Sequence, residues 1–135
     1  MYLWNCKTEN KARITTVLAA EDHDSTRELA RTMLEHSGYV VLEAANADEA
    51  VRIALEHRPD LVPLDLQMPM KDGFQVLREL RSDERFRFTP IVALTASAMM
   101  GDKDKALMEG FKGYLTKLLS LSAVRRELAR LLEKV

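Results

Sequence analysis

From Thr15 onward the sequence switches back and forth between two periodicities, and this alternation limits the fold more than any other feature. Five short apolar runs read as buried strands: Thr15 to Ala20, Tyr39 to Ala44, Leu61 to Leu64, Ile91 to Leu94 and Gly113 to Thr116. Five other stretches carry apolar residues at helical spacing: Ser25 to His36, Ala47 to His57, Gly73 to Arg81, Asp102 to Glu109 and Leu121 to Leu132. The first helix is expected to turn Leu29, Ala30, Met33 and Leu34 inward, and the second Ala47, Ala50, Val51, Ala54 and Leu55. Phe74, Leu77 and Leu80 do the same for the third, and Leu121, Val124, Leu128, Leu131 and Leu132 for the last. Ser25 and Glu28 have the spacing of a capping box, and Asn46 and Glu49 can cap the second helix. Gly38, Pro59 and Gly110 stand where helices should end. Strands and helices alternating one for one predict an α/β domain with a mainly parallel sheet and helices on both faces.

A length of 135 residues favours one domain. Its expected span is 14–135, preceded by an extension over 1–13 in which Tyr2, Leu3 and Trp4 are the apolar residues. Apolar residues make up 47% of the chain and aromatics only 6%, so aliphatic side chains must fill the core. The lone cysteine, Cys6, has no internal disulfide partner, which suits a reducing cytoplasm. No apolar run approaches the ~20 residues that span a bilayer. A net charge of -1 gives no basic face for DNA. The expectation is a cytoplasmic domain without a membrane or a direct nucleic-acid partner.

In open parallel sheets, ligands bind beyond the carboxyl ends of the strands. That rule selects Glu21 and Asp22, Asp65, Thr95 and Lys117, each directly after an expected strand. Three crowded carboxylates repel one another, and each prefers to be protonated unless something compensates. A hard divalent cation such as Mg²⁺ resolves this, because it takes oxygen ligands from carboxylates, water and phosphate. Lys117 would add a fixed positive charge and Thr95 a hydroxyl. The set suits phosphoryl transfer to an aspartate, where positioning and charge neutralisation do most of the work. Taken singly, the residues have plainer roles. Asp22 and Asp24 can cap a helix, Asp65 can be a loop carboxylate, Lys117 a solvated lysine and Thr95 a strand-end hydroxyl. Their shared edge favours the joint reading.

Four segments carry a family resemblance. Val17-Leu18-Ala19-Ala20-Glu21-Asp22 resembles the first strand and acidic pair of receiver domains of the two-component response-regulator family. The segment from Asp60 to Gly73, around Asp65, is similar to the surroundings of their phosphoacceptor. Thr95-Ala96-Ser97-Ala98 resembles their switch-threonine motif, and Gly113-Tyr114-Leu115-Thr116-Lys117 their fifth strand with its aromatic and lysine. The resemblance runs from about Thr15 to the C-terminus and covers stand-alone receivers as well as those of hybrid histidine kinases. It implies a flavodoxin-like (βα)5 fold with strand order 2-1-3-4-5. It implies a phosphoacceptor role for Asp65, self-catalysed and dependent on Mg²⁺, rather than a conventional enzyme. Asp22 would bind Mg²⁺ directly, Glu21 mainly through water, and Asp65 and the backbone carbonyl of Gln67 would complete the protein ligands. Thr95 and Lys117 would contact the phosphoryl group, and Tyr114 would turn inward as Thr95 moves. The implied donor is a histidine kinase or histidine phosphotransfer protein. The implied output or homodimer surface is the fourth helix, fifth strand and fifth helix.

Two residues depart from the family pattern. Leu118 follows Lys117 where receivers usually have proline, and a cis bond before a non-proline residue costs about 2.5–4 kcal/mol. A trans bond and a displaced Lys117 are expected, with slow phosphorylation. Pro63 lies inside the third strand without an N–H for the ladder, so a local distortion is expected beside Asp65. These departures keep open an alternative, a degenerate receiver acting as a phosphorylation-independent interaction module. An aspartate-nucleophile phosphatase fits less well, because Gln67 stands where such enzymes generally carry a second acid. A flavodoxin fits less well again, because Glu21 and Asp22 would repel a flavin phosphate.

Overall fold

The computed structural model describes residues 15–68, 70–96, 100–117 and 120–132, so the 1–13 extension lies outside them. Strands and helices alternate as β1 Thr16–Ala20, α1 Asp24–His36, β2 Val40–Ala44, α2 Ala47–His57, β3 Val62–Asp65, α3 Gly73–Arg81, β4 Ile91–Thr95, α4 Met100–Glu109, β5 Gly113–Thr116 and α5 Leu121–Leu132. A single 3-10 turn, Glu84–Phe86, separates α3 from β4. All five strands are parallel, in the order β2-β1-β3-β4-β5. The flavodoxin-like class and strand order are therefore those expected.

A parallel sheet covered on both faces needs apolar residues at nearly every strand position. Val17 to Ala20 and Ile91 to Ala93 are accordingly fully buried. The period of two divides the core. Leu18, Ala20, Val62, Leu64, Ile91 and Ala93 pack with α2, α3 and Ala106 of α4. Val17, Leu61 and Val92 pack instead with Leu34 of α1 and with Val124 and Leu128 of α5. The α2 contacts are made by three buried alanines, Ala47, Ala50 and Ala54.

Two inward assignments fail. Leu29 is 43% exposed and Leu55 36%. Each lies one residue from its helix's buried stripe, which is a rotation of about 100°. The Ser25–Glu28 capping box also does not form. The helix begins at Asp24 with His23 as N-cap, so Ser25 falls inside the first turn. At α2, Asn46 caps as expected and accepts from the Glu49 N–H at 2.8 Å. A capping box that the sequence reading missed, Asp72 with Gln75, starts α3.

Pro63 distorts the sheet less than expected. Toward β4 the pairing runs unbroken, including Pro63↔Val92. On that side the N–H groups of Val62 and Leu66 donate, to Pro90 and Leu94 at 3.1 and 2.9 Å. The N–H groups of odd-numbered residues therefore face β1. There the recorded pairs are Val17↔Leu61 and Ala20↔Leu64, with a gap at the two positions between. The missing N–H thus interrupts one ladder and leaves the strand in register.

Two side-chain details fix the loops. The Arg81 guanidinium, at the end of α3, donates to the carbonyls of Phe86, Thr89 and Gly110 at 2.5, 2.8 and 3.1 Å. At the other end of α3, Gly73 meets the end of β3. A Cβ there would stand 2.6 Å from the Asp65 carbonyl oxygen and 2.9 Å from Leu66 Cα, both backbone atoms that cannot rotate away. Gly73→Ala should therefore destabilise the fold by about 1–3 kcal/mol through overpacking. Urea denaturation checks this, and an unchanged midpoint would remove the claim of close approach.

Candidate functional site

The acidic edge is built by ladder bonds that continue one residue past the strands. Glu21 N–H donates to Ala44 O at 3.0 Å, Leu66 N–H to Leu94 O at 2.9 Å and Lys117 N–H to Thr95 O at 2.8 Å. These bonds hold the ends of β1, β3 and β5 against their neighbours. Asp65 ends β3 and Thr95 ends β4, both buried. Glu21 is fully buried, and Asp22 keeps 21% side-chain exposure.

Lys117 crosses this edge. Its ammonium lies 3.0 Å from Asp65 Oδ2 and 3.1 and 3.2 Å from the two oxygens of Glu21. The expected displacement of Lys117 is therefore corrected. Its backbone is anchored on Thr95 one residue before Leu118, and its long stem spans the gap to Asp65. Leu118 itself lies outside the described residues, as do Ser97 and Ala98 of the threonine motif. The other Asp65 oxygen, Oδ1, accepts the Gln67 N–H at 2.9 Å. Gln67 thus touches the acceptor through its amide. Tyr114 is half-buried and packs against the α2–α4 side of the core.

Sequence reasoning missed two residues here. His23 donates its backbone N–H to Glu21 Oε2 at 3.0 Å, and its ring Nδ1 lies 3.1 Å from the same oxygen. Arg27 donates to the Glu21 carbonyl at 2.9 Å and to Asp24 at 2.6 Å, and it also reaches Glu43 on β2 at 3.3 Å. It ties the acidic turn to α1 and β2. The only sequence signal for Arg27 was an acid–base pair at spacing three, common on any helix.

Burial pushes the Asp65 carboxyl up to about 6, helped by Asp22 and Glu21 and opposed by the Gln67 N–H and Lys117. Burial also resists ionisation of Asp22, but the nearby Asp65 carboxyl and the neighbouring His23 bring it below the ordinary aspartate value. Burial disfavours the Lys117 charge as well, and the bonds to Asp65 and Glu21 outweigh it, so its pKa is raised.

The cluster fits a metal ion. Glu21, Asp22, His23 and Asp65 each offer one ligand atom, all within 4.8 Å of one another. Glu21 Oε1 is buried against the Lys117 ammonium at 3.1 Å, and among the described residues Asp22 Oδ1 is buried without a hydrogen bond. Buried carboxylate oxygens left in that state are costly. An open groove of about 380 Å³ at the opposite end of the sheet, lined by Pro59, Phe86, Phe88 and Pro90 among others, shares no residue with this cluster. No helix among the described residues is long and apolar enough to cross a membrane.

Comparison with known proteins agrees with this geometry. Residues 17–129 match the model of the response regulator receiver domain. The polar-differentiation response regulator DivK of Brucella anthropi is 37% identical over 106 residues, which are 78% of this chain and 86% of that protein. Among solved structures, the Vibrio cholerae chemotaxis protein CheY4 superposes with a TM-score of 0.84 at 31% identity, covering 89% of this chain and 100% of its own. The receiver domain of a Pseudomonas aeruginosa sensor histidine kinase gives 0.83 at 34% identity, covering 90% and 100%. That structure has a magnesium ion coordinated in its active-site cleft. The parallel five-stranded sheet and its acidic cluster fit that family, and the chain belongs to the response regulator receiver domain family.

Proposed function

We propose that this receiver accepts a phosphoryl group on Asp65, from a histidine kinase or a histidine phosphotransfer protein, in a Mg²⁺-dependent reaction. The observation that carries the reading is the Lys117 ammonium 3.0 Å from Asp65, beside a buried Asp22 oxygen without a hydrogen-bond partner among the described residues. Asp22, Glu21, Asp65 and the Gln67 carbonyl are the assigned Mg²⁺ ligands, Asp22 directly and Glu21 mainly through water. When bound, the ion would offset carboxylate repulsion and the charge of the incoming phosphoryl oxygens. Lys117 would neutralise phosphoryl charge from the other side, and the Thr95 hydroxyl would bond the phosphate once it moves toward it. Tyr114 would follow into the space Thr95 leaves. The phosphate shifts this equilibrium only by its preference for the moved state. The surface that changes would be α4, β5 and α5, which a kinase target, an output partner or a second copy would read. The in-register β3 and the reach of Lys117 weaken the grounds for a phosphorylation-independent module.

Incubation with acetyl phosphate and Mg²⁺ should add one phosphoryl mass, absent in Asp65→Asn. An adduct that persists in that variant would remove Asp65 as acceptor, and no adduct on the parent chain would favour the interaction module.

Calorimetry should show Mg²⁺ binding abolished in Asp22→Ala and only weakened in Glu21→Gln. Equal losses would contradict the division between direct and water-mediated ligands.

The pH dependence follows from the raised Asp65 pKa. A carboxyl that ionises less readily when folded contributes stability below its unfolded value of 3.8, and loses it as pH rises through about 6. In metal-free buffer, Asp65→Asn should therefore gain on the parent as pH goes from about 4 to about 7, by on the order of 1–3 kcal/mol. Denaturation at several pH values measures it, and a pH-independent difference would mean that Asp65 is ionised throughout.

A further inference from the structure

We propose that His23 is a metal ligand, and that its imidazole gives this site an affinity for borderline divalent transition ions beyond that for Mg²⁺. The inference rests on the metal-dependent reading of the acidic cluster and concerns which ion the cluster prefers.

His23 is placed by the same turn that builds the site. It is the N-cap of α1, and its backbone N–H is fixed on Glu21 Oε2. Its ring Nδ1 then lies 3.1 Å from Glu21 Oε2 and 3.4 Å from Asp22 Oδ1. Two neighbouring ligands of an octahedral ion, each at about 2.1 Å, stand about 3 Å apart. The spacing of Nδ1 from the two carboxylates is therefore that of atoms sharing one ion. A hydrogen bond accounts for the contact with Glu21 but not for the one with Asp22. Asp22 Oδ1 is buried and makes no hydrogen bond among the described residues, although an imidazole nitrogen is 3.4 Å away. Glu21, whose side chain has no solvent exposure, has the Lys117 ammonium beside Oε1 at 3.1 Å, one cation facing the three carboxylates of Glu21, Asp22 and Asp65. One donor atom from each of Glu21, Asp22, His23 and Asp65 falls within a 4.8 Å cluster.

The chemistry follows from the donor set. Three carboxylates alone suit Mg²⁺, Ca²⁺ or Mn²⁺, whereas imidazole suits Zn²⁺, Ni²⁺, Cu²⁺ and iron. Magnesium gains little from a nitrogen donor. A borderline ion gains a bond that an all-oxygen site cannot give it. The His23 ring is 67% exposed, so it can turn onto an ion without disturbing the core.

The test uses the full chain with Cys6→Ser, so that the lone thiol cannot take the metal, and Zn²⁺ and Mg²⁺ as the probes. Ring-nitrogen NMR distinguishes the three histidines, His23, His36 and His57. Zn²⁺ should shift the Nδ1 resonance of His23, and Mg²⁺ should not. By calorimetry, His23→Ala should lose about tenfold or more in Zn²⁺ affinity and less than about twofold for Mg²⁺. Asp22→Ala should lose both ions. The proposal is overturned by an unmoved His23 ring in Zn²⁺, by equal losses of the two ions in His23→Ala, or by retention of Zn²⁺ in Asp22→Ala. No phosphodonor is present, so the result stands apart from whether Asp65 is phosphorylated.

Discussion

A single ammonium between two buried carboxylates is the constraint around which the acidic edge is arranged. Asp65 and Glu21 have no side-chain exposure, and Lys117 has only 17%. Two negative charges at such depth are tolerated only beside a compensating cation. Lys117 supplies part of that compensation, by reaching from the end of β5 across the end of β3 to the end of β1. The sheet must therefore hold three strand ends level. It does so with backbone bonds that continue just past the regular pairing. Compensation remains incomplete, since Asp65 ionises less readily than an ordinary aspartate. The site is thus poised to take up more positive charge.

The sheet accommodates Pro63 because a parallel strand divides its donors between two neighbours. Losing one N–H costs a bond on one side only. The β4 side keeps its full pairing, and β4 carries Thr95 and receives Lys117. The gap falls on the β1 side, and pairing there resumes at Ala20, before the acidic residues begin. An interruption toward β4 would have fallen on the side that positions Thr95 and Lys117.

Much of this was legible in the sequence, for a physical reason. Strands buried on both faces leave unbroken aliphatic runs, and an acid or a lysine at the end of such a run is conspicuous. Asp65, Glu21, Thr95 and Lys117 could be found in that way. His23 and Arg27 could not. Their importance comes from where a turn aims their side chains, and the sequence records no such direction. The displacement expected for Lys117 was argued from one peptide bond, and it ignored the anchoring of that residue's own N–H on Thr95. Leu29 and Leu55 were misplaced because each sits one position from a buried alanine, Ala30 in α1 and Ala54 in α2. Where alanines make the contact, a neighbouring leucine looks like the better core residue.

Arg81 has a consequence for how the chain tolerates change in length. One guanidinium accepts no substitute geometry for three carbonyls, and those carbonyls belong to the segment before β4 and the turn after α4. Surface connections generally absorb insertions with little penalty. The connection from Ser82 to Pro90 does not have that freedom. An added residue there would withdraw Phe86 or Thr89 from Arg81 and leave a half-buried charge short of acceptors. The end of the domain farthest from the acidic edge is thus fixed in length, and a fusion or a graft is better placed elsewhere.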